Sequence, residues 1–104
     1  MKRYLVAISA LAVGMAMSTP SMADMALATA KNCTSCHAVD KKVLGPSYKE
    51  VATKYAGQAD AVDKLAGKIM KGGAGAWGPV PMPANAQVSA DEAKKLVTWI
   101  LTLK

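Results

Sequence analysis

The chain has 104 residues and a formal net charge of +6, from 13 basic against 7 acidic residues, with one histidine, two cysteines and no phenylalanine. That length suits one small domain, and three thiol or imidazole groups fall one short of the four protein ligands that a structural zinc site takes. No repeat, low-complexity tract or interdomain linker marks a second domain.

Lys2 and Arg3 precede an apolar run from Leu5 to Met17, and the polar stretch Ser18 to Ala23 follows it. A basic start, a short apolar middle and small residues at Ser21 and Ala23 describe a secretory signal cleaved after Ala23. A spanning helix needs about 20 apolar residues, which this run of 13 does not supply, and no basic flank follows it. Residues 1–23 therefore read as a removed leader and 24–104 as the domain. Taking 23 from 104 leaves 81 residues, with 11 lysines, no arginine and 7 acids, a formal charge of +4. A chain of that size buries only about 60% of its unfolded surface. Its aromatic bulk is Tyr48, Tyr55, Trp77 and Trp99 alone, so a bound group is expected to complete the core.

Met25 to Asn32 is rich in alanine and leucine, good helix formers, and predicts a helix running into Cys33-Thr34-Ser35-Cys36-His37. Two cysteines three positions apart can each add a thiol across one vinyl group of a haem, and the adjacent histidine can offer its imidazole to the iron. This is the c-type haem attachment signature. Zinc would need a carboxylate or water to complete its shell, and a thioredoxin-like redox pair needs a βαβ setting. A free dithiol in an oxidising compartment would close to a disulfide or react.

Beyond His37 a loop runs to Gly45-Pro46, which breaks regular structure. Ser47-x-x-Glu50 is a capping box that starts a short helix through about Tyr55, stopped by Gly57. Asp60 is placed to cap a third helix, with Val62, Leu65, Ala66 and Ile69 at helical spacing and Gly72-Gly73 at its end. Ser89-x-x-Glu92 is a second capping box. Behind it Ala93, Leu96, Val97, Ile100 and Leu101 form one apolar stripe, with Lys94, Lys95 and Thr98 facing away. No alternation of period two has useful length, so the class is all-α.

Gly78-Pro79-Val80-Pro81-Met82-Pro83 carries a second chemical signal. Proline fixes its own φ and pushes the residue before it to extended geometry, so Val80 and Met82 cannot be helical. A stiff loop of this kind presents a thioether, the soft partner that raises a haem's reduction potential opposite histidine. Met25 on the leading helix and Met70 beside Ile69 compete for that role, although a methionine within a helical pattern more often fills core.

On these residues the chain resembles the small bacterial class I monohaem cytochromes c of the c-551 or c-552 type, from about Asp24 to Lys104. The resemblance is carried by Cys33-x-x-Cys36-His37, Val43-Leu44-Gly45-Pro46, Trp77 to Pro83 and Trp99-Ile100-Leu101. It implies four to five short helices wrapped around one covalently bound haem c. Cys33 and Cys36 would carry the thioether bonds, with His37 and Met82 as axial iron ligands. The Pro46 carbonyl would accept the proton of the other His37 ring nitrogen, the Asn85 amide would lie near the Met82 sulfur, and Trp77 and Lys68 would approach a propionate. The first and last helices would cross, with Trp99 near the contact. The chain departs from many relatives at Ala28, where they carry an aromatic residue, at Asn32, where they have glycine, and at Ala84, where they have proline.

The function implied is that of a periplasmic, monomeric electron carrier between respiratory components, not an enzyme, not a nucleic-acid binder and not membrane-inserted after leader removal. Lys41, Lys42, Lys49, Lys54, Lys64, Lys68 and Lys71 would meet acidic docking faces on reductases or oxidases, or serve solubility alone. The alternative class is a haem protein whose methionine dissociates, acting as a peroxidase or gas sensor. The proline cage around Met82 speaks against it.

Overall fold

The computed structural model describes residues 20–104. The expected leader, residues 1–23, lies outside the described residues apart from the backbone of 20–23. The described residues form four helices: α1 (Pro20–Ala30), α2 (Tyr48–Lys54), α3 (Ala61–Lys71) and α4 (Ala90–Ile100), with a 3-10 turn at Cys33–Ser35. No strand occurs among the described residues, and the all-α expectation holds.

Local chemistry sets most boundaries. Helix α1 starts five residues before the expected Met25, at Pro20, because proline suits a first turn whose N–H has no helical partner. It ends at Ala30 because Asn32 turns the chain out through a left-handed conformation, φ 64°. Asparagine tolerates that region better than most residues. At α2, Ser47 Oγ accepts from Glu50 N at 3.1 Å while Glu50 Oε2 accepts from Ser47 N at 3.0 Å. At α4, Ser89 and Glu92 repeat the arrangement at 3.2 and 3.0 Å. Each box satisfies two backbone donors that a helix start leaves open.

Asp60 departs from expectation. It occupies the residue before α3, but its side chain makes no capping bond and its backbone is not extended, φ −95° and ψ 5°. The chain enters α3 from a turn in which Ala61 N donates to Gln58 O at 3.2 Å and Lys64 N to Asp60 O at 3.0 Å. The backbone supplies the bonding there, and the carboxylate is left to solvent.

Helix α4 is the hub, packed on α1, α2 and α3. Of its expected stripe Ala93, Leu96 and Val97 are buried and Ile100 and Leu101 partly so; Trp99 joins them, together with Ala28 of α1, Tyr48 of α2, Ala66 and Ile69 of α3, and Val88. Ala28 is fully buried. Burying a leucine or valine side chain gives about 1.5–3 kcal/mol. Against a total stability of about 5–15 kcal/mol, Leu96 and Val97, the largest fully buried side chains, are a substantial share.

A polar strap crosses from α1 to α4, where Lys31 Nζ lies 3.2 Å from Glu92 Oε2. The pair is partly exposed, so its Coulomb contribution is small. The Glu92 carboxyl is held below its ordinary value first by the Ser89 backbone N–H and then by Lys31. A carboxylate favoured in the folded state stabilises above its unfolded pKa, and that stability is lost as pH falls below it. Glu92→Gln is therefore expected to be less stable than the parent at pH 7, with the difference shrinking as denaturation is repeated from pH 5 down to about pH 3. A difference constant with pH would contradict this reading.

Candidate functional site

A cavity of about 510 Å³ lies among the Cys33–His37 segment, α2, α3 and the proline loop, within the roughly 300–1,000 Å³ of small-molecule sites. Cys36, His37 and Pro46 line it from the motif side, Val51 from α2 and Tyr55 just past its end, Leu65, Lys68 and Ile69 from α3, and Trp77 and Met82 from the loop. Leu44, Trp77 and Val80 also line it while staying 62%, 41% and 62% exposed. Large apolar side chains left open around one concavity mark a place for a hydrophobic partner.

The 3-10 turn that follows α1 brings the motif together. Cys36 N and His37 N both donate to Cys33 O, at 3.2 and 3.0 Å. Both cysteines are free and partly buried. Burial pushes the Cys33 thiol above its ordinary value, which keeps the neutral form in the unattached chain.

His37 is fixed from several sides. Its Nδ1 lies 2.8 Å from Pro46 O, and a carbonyl only accepts, so Nδ1 carries the proton and Nε2 keeps its lone pair. Tyr48 stacks on the ring at 5.5 Å between centroids, and itself meets Trp99 edge-on at 5.4 Å. At Gly45 a Cβ would stand 2.4 Å from His37 Cε1, so glycine is the residue that leaves room for the imidazole. The Tyr48 hydroxyl and Trp99 Nε1 are buried with no hydrogen-bond partner among the described residues. Burial first, and the Cys33 sulfur second, raise the Tyr48 hydroxyl far above its ordinary value, so it stays neutral.

Met82 is held by its backbone. Its N donates to Gly73 O at 2.8 Å and its O accepts from Gly73 N at 3.0 Å, a two-bond pairing just beyond α3. Gly72 precedes it with φ 71°, and a Cβ there would lie 2.4 Å from Met82 O. Left-handed backbone and close approach both call for glycine. Met25 and Met70 pack against the helical core and do not line the cavity. Of the three methionines weighed in the sequence, Met82 alone faces it.

The remaining expected residues divide. Trp77 and Lys68 both line the cavity. Lys54 Nζ lies 4.4 Å above the Trp77 ring and donates to Ala76 O at 2.8 Å, which anchors the loop to α2. Asn85 is committed elsewhere: Nδ2 donates to Ile69 O at 2.9 Å and to Pro83 O at 3.3 Å, and no hydrogen bond among the described residues joins it to Met82.

Sequence reading named Tyr48, Gly45, Gly73 and Lys54 but missed what they touch: His37 for the first two, Met82 for Gly73 and Trp77 for Lys54. Gly45 and Gly73 were legible only as breakers, and Tyr48 only as the first residue after a cap. The sole available hint for Tyr48 was that one of four aromatics in the domain stands two residues after Pro46.

The donor set fits an iron porphyrin: an imidazole nitrogen with a free lone pair, a soft thioether, two thiols in the motif and an apolar enclosure open at one edge. Among the described residues no three His, Cys, Asp or Glu side chains are grouped so as to hold a metal ion. No helix of the described residues is long and apolar enough to cross a membrane.

Known proteins resemble the chain over most of its length. The family model described as Cytochrome c matches residues 25–104. The chain is 52% identical to cytochrome c-551 of Allochromatium vinosum over 89 residues, which cover 86% of this chain and 95% of that one. It is 50% identical to cytochrome c-552 of Hydrogenobacter thermophilus over 104 residues, the whole of both chains. The crystal structure of wild-type Nitrosomonas europaea cytochrome c552 superposes with a TM-score of 0.75 at 52% identity, over 77% of this chain and 99% of that one.

Proposed function

The chain belongs to the cytochrome c family, and on that premise we propose that it is a soluble periplasmic carrier of single electrons in which His37 and Met82 are the axial ligands. Its cofactor is haem c, held covalently, for which Cys33 and Cys36 stand at the attachment spacing. Bound, the haem supplies one Fe(II)/Fe(III) couple. The protein's own residues decide what that couple is used for.

The observation that carries the reading is that His37 and Met82, 45 positions apart (82 less 37), line the same cavity. The Pro46 carbonyl holds His37 in the tautomer that leaves Nε2 for iron and makes it a better donor. Met82 offers a thioether, which favours the reduced state and raises the potential. With His37 and Met82 both holding the iron, no coordination site would remain for a substrate, which suits a carrier rather than an enzyme. The Gly73 pairing and the flanking prolines disfavour spontaneous loss of the thioether, and with it the peroxidase or gas-sensor reading. Trp77 and Lys68 line the cavity and would meet the propionates.

The rim formed by Leu44, Trp77 and Val80 is where an electron would leave. Around it Lys49 is already paired with Asp40 at 2.7 Å and Lys54 covers Trp77, while Lys42 lines the cavity and is exposed. Partners would be reductases or oxidases presenting an acidic face over a small interface, below about 1,200 Å². Residues 1–23 carry the periplasmic assignment.

Met82→Ala tests the ligation. The haem should remain attached, since thioether formation at the cysteines does not use the sixth ligand. The potential should fall, and the weak red absorption of sulfur-to-iron charge transfer should disappear. Met70→Ala should cost about 2–5 kcal/mol as a core truncation and keep that absorption. The converse pattern would move the ligand onto α3.

Docking on an acidic partner is tested by salt. The second-order electron-transfer rate should fall as ionic strength rises from about 10 mM to 150 mM, because the Debye length shrinks from about 30 to 8 Å. A flat profile would return the lysines to a role in solubility.

A further inference from the structure

Gln87 is an exposed residue five positions beyond Met82, and its side chain spans two distant parts of the fold. Its Nε2 donates to Lys31 O and to Asn85 Oδ1, each at 3.1 Å. Lys31 Nζ returns a bond to Gln87 O at 3.0 Å. Lys31 lies just past α1 and two residues before Cys33, where a helix leaves its last carbonyls without helical donors. The Gln87 amide supplies one.

The orientations along this chain of bonds are fixed by elimination. Ile69 O and Pro83 O can only accept, so the Asn85 side chain must turn its Nδ2 toward them. Asn85 Oδ1 then needs a donor on its other side, and Gln87 Nε2 is the group there. Gln87 cannot be turned over without setting its Oε1 against the Lys31 carbonyl. Asn85 in turn holds Pro83, the neighbour of Met82, and ties the loop to Ile69 at the end of α3 through both its side chain and its own N–H.

We propose that Gln87 is a positioning residue for Met82: it locks the Asn85 amide and so couples the haem-attachment segment after α1 to the far side of the methionine loop. The proposal rests on the reading of Met82 as an axial ligand. With Gln87 truncated, Asn85 can rotate and the loop's C-terminal side loses a restraint, while the Gly73 pairing on the other side remains. The loop then samples positions in which the sulfur has left the iron. An external ligand for the oxidised iron competes better against such a loop.

The experiment is an imidazole titration of the oxidised holoprotein as parent, Gln87→Ala, Gln87→Glu, Val97→Ala and Met82→Ala. Gln87→Glu keeps the shape but sets a carboxylate against the Lys31 and Asn85 oxygens. Both Gln87 variants should bind imidazole about threefold to tenfold more tightly, the shift that one lost hydrogen bond supports. Val97→Ala, a core truncation in α4, should lower the unfolding midpoint and leave imidazole affinity at the parent value. Gln87 variants that bind like the parent, or a Val97→Ala variant that tightens equally, would overturn the proposal while Met82 ligation stands. Should the parent bind imidazole as tightly as Met82→Ala, the ligation reading fails and takes the role of Gln87 with it.

Discussion

Apolar space that the polypeptide does not fill is the constraint on which the rest of this structure depends. Two helices, α2 and α3, the Cys33–His37 segment and a proline loop enclose about 510 Å³ lined by Val51, Tyr55, Leu65 and Ile69. The chain has no phenylalanine to put there. Side chains around an unfilled volume forgo dispersion contacts on one face, and a domain this small has little stability to spare. Haem c, the cofactor of the family to which the chain belongs, would fill that space, and the redox centre would then also be core. The packed interior built on α4 is a separate body of side chains, with Tyr48 and Ile69 belonging to both.

Small backbone devices then place the two side chains that would hold iron. Gly45 clears the His37 ring, Pro46 O takes the Nδ1 proton, and Tyr48 covers one ring face. On the other segment Gly72 permits the turn and Gly73 pairs with Met82 in both directions. None of these contacts is strong by itself. They act by restricting rotation and translation of groups whose geometry matters, the pre-organisation that a metal site requires of its surroundings.

What was legible in the sequence was local. The boxes at Ser47 and Ser89 could be read because donor and acceptor lie three residues apart, and the stripe on α4 because a helix repeats every 3.6 residues. The C-x-x-C-H spacing carries its chemistry within five residues. Asp60 shows the limit of that method, since a turn already supplied the bonding that a cap would have given. The start of α1 was misplaced because its turn from Pro20 reaches back across the expected leader boundary. Contacts that depend on the tertiary fold left no local trace: Tyr48 on His37, Lys54 on Trp77, Gly73 with Met82, and Gln87 with Lys31 across 56 positions. Asn85 illustrates the same limit from the other side. Its amide was expected near the Met82 sulfur, and the hydrogen bonds that it donates, to the carbonyls of Ile69 and Pro83, were not foreseen.

The most direct measurement is the proton NMR spectrum of the reduced holoprotein with methionine methyl groups labelled and assigned. A methyl on sulfur bound to low-spin iron lies over the haem ring, whose current moves its resonance far upfield of ordinary methionines. Ligation by Met82 requires that the single shifted methyl belong to Met82, with those of Met25 and Met70 near their usual positions. A shifted methyl assigned to Met70 or Met25, or no shifted methyl at all, would contradict it.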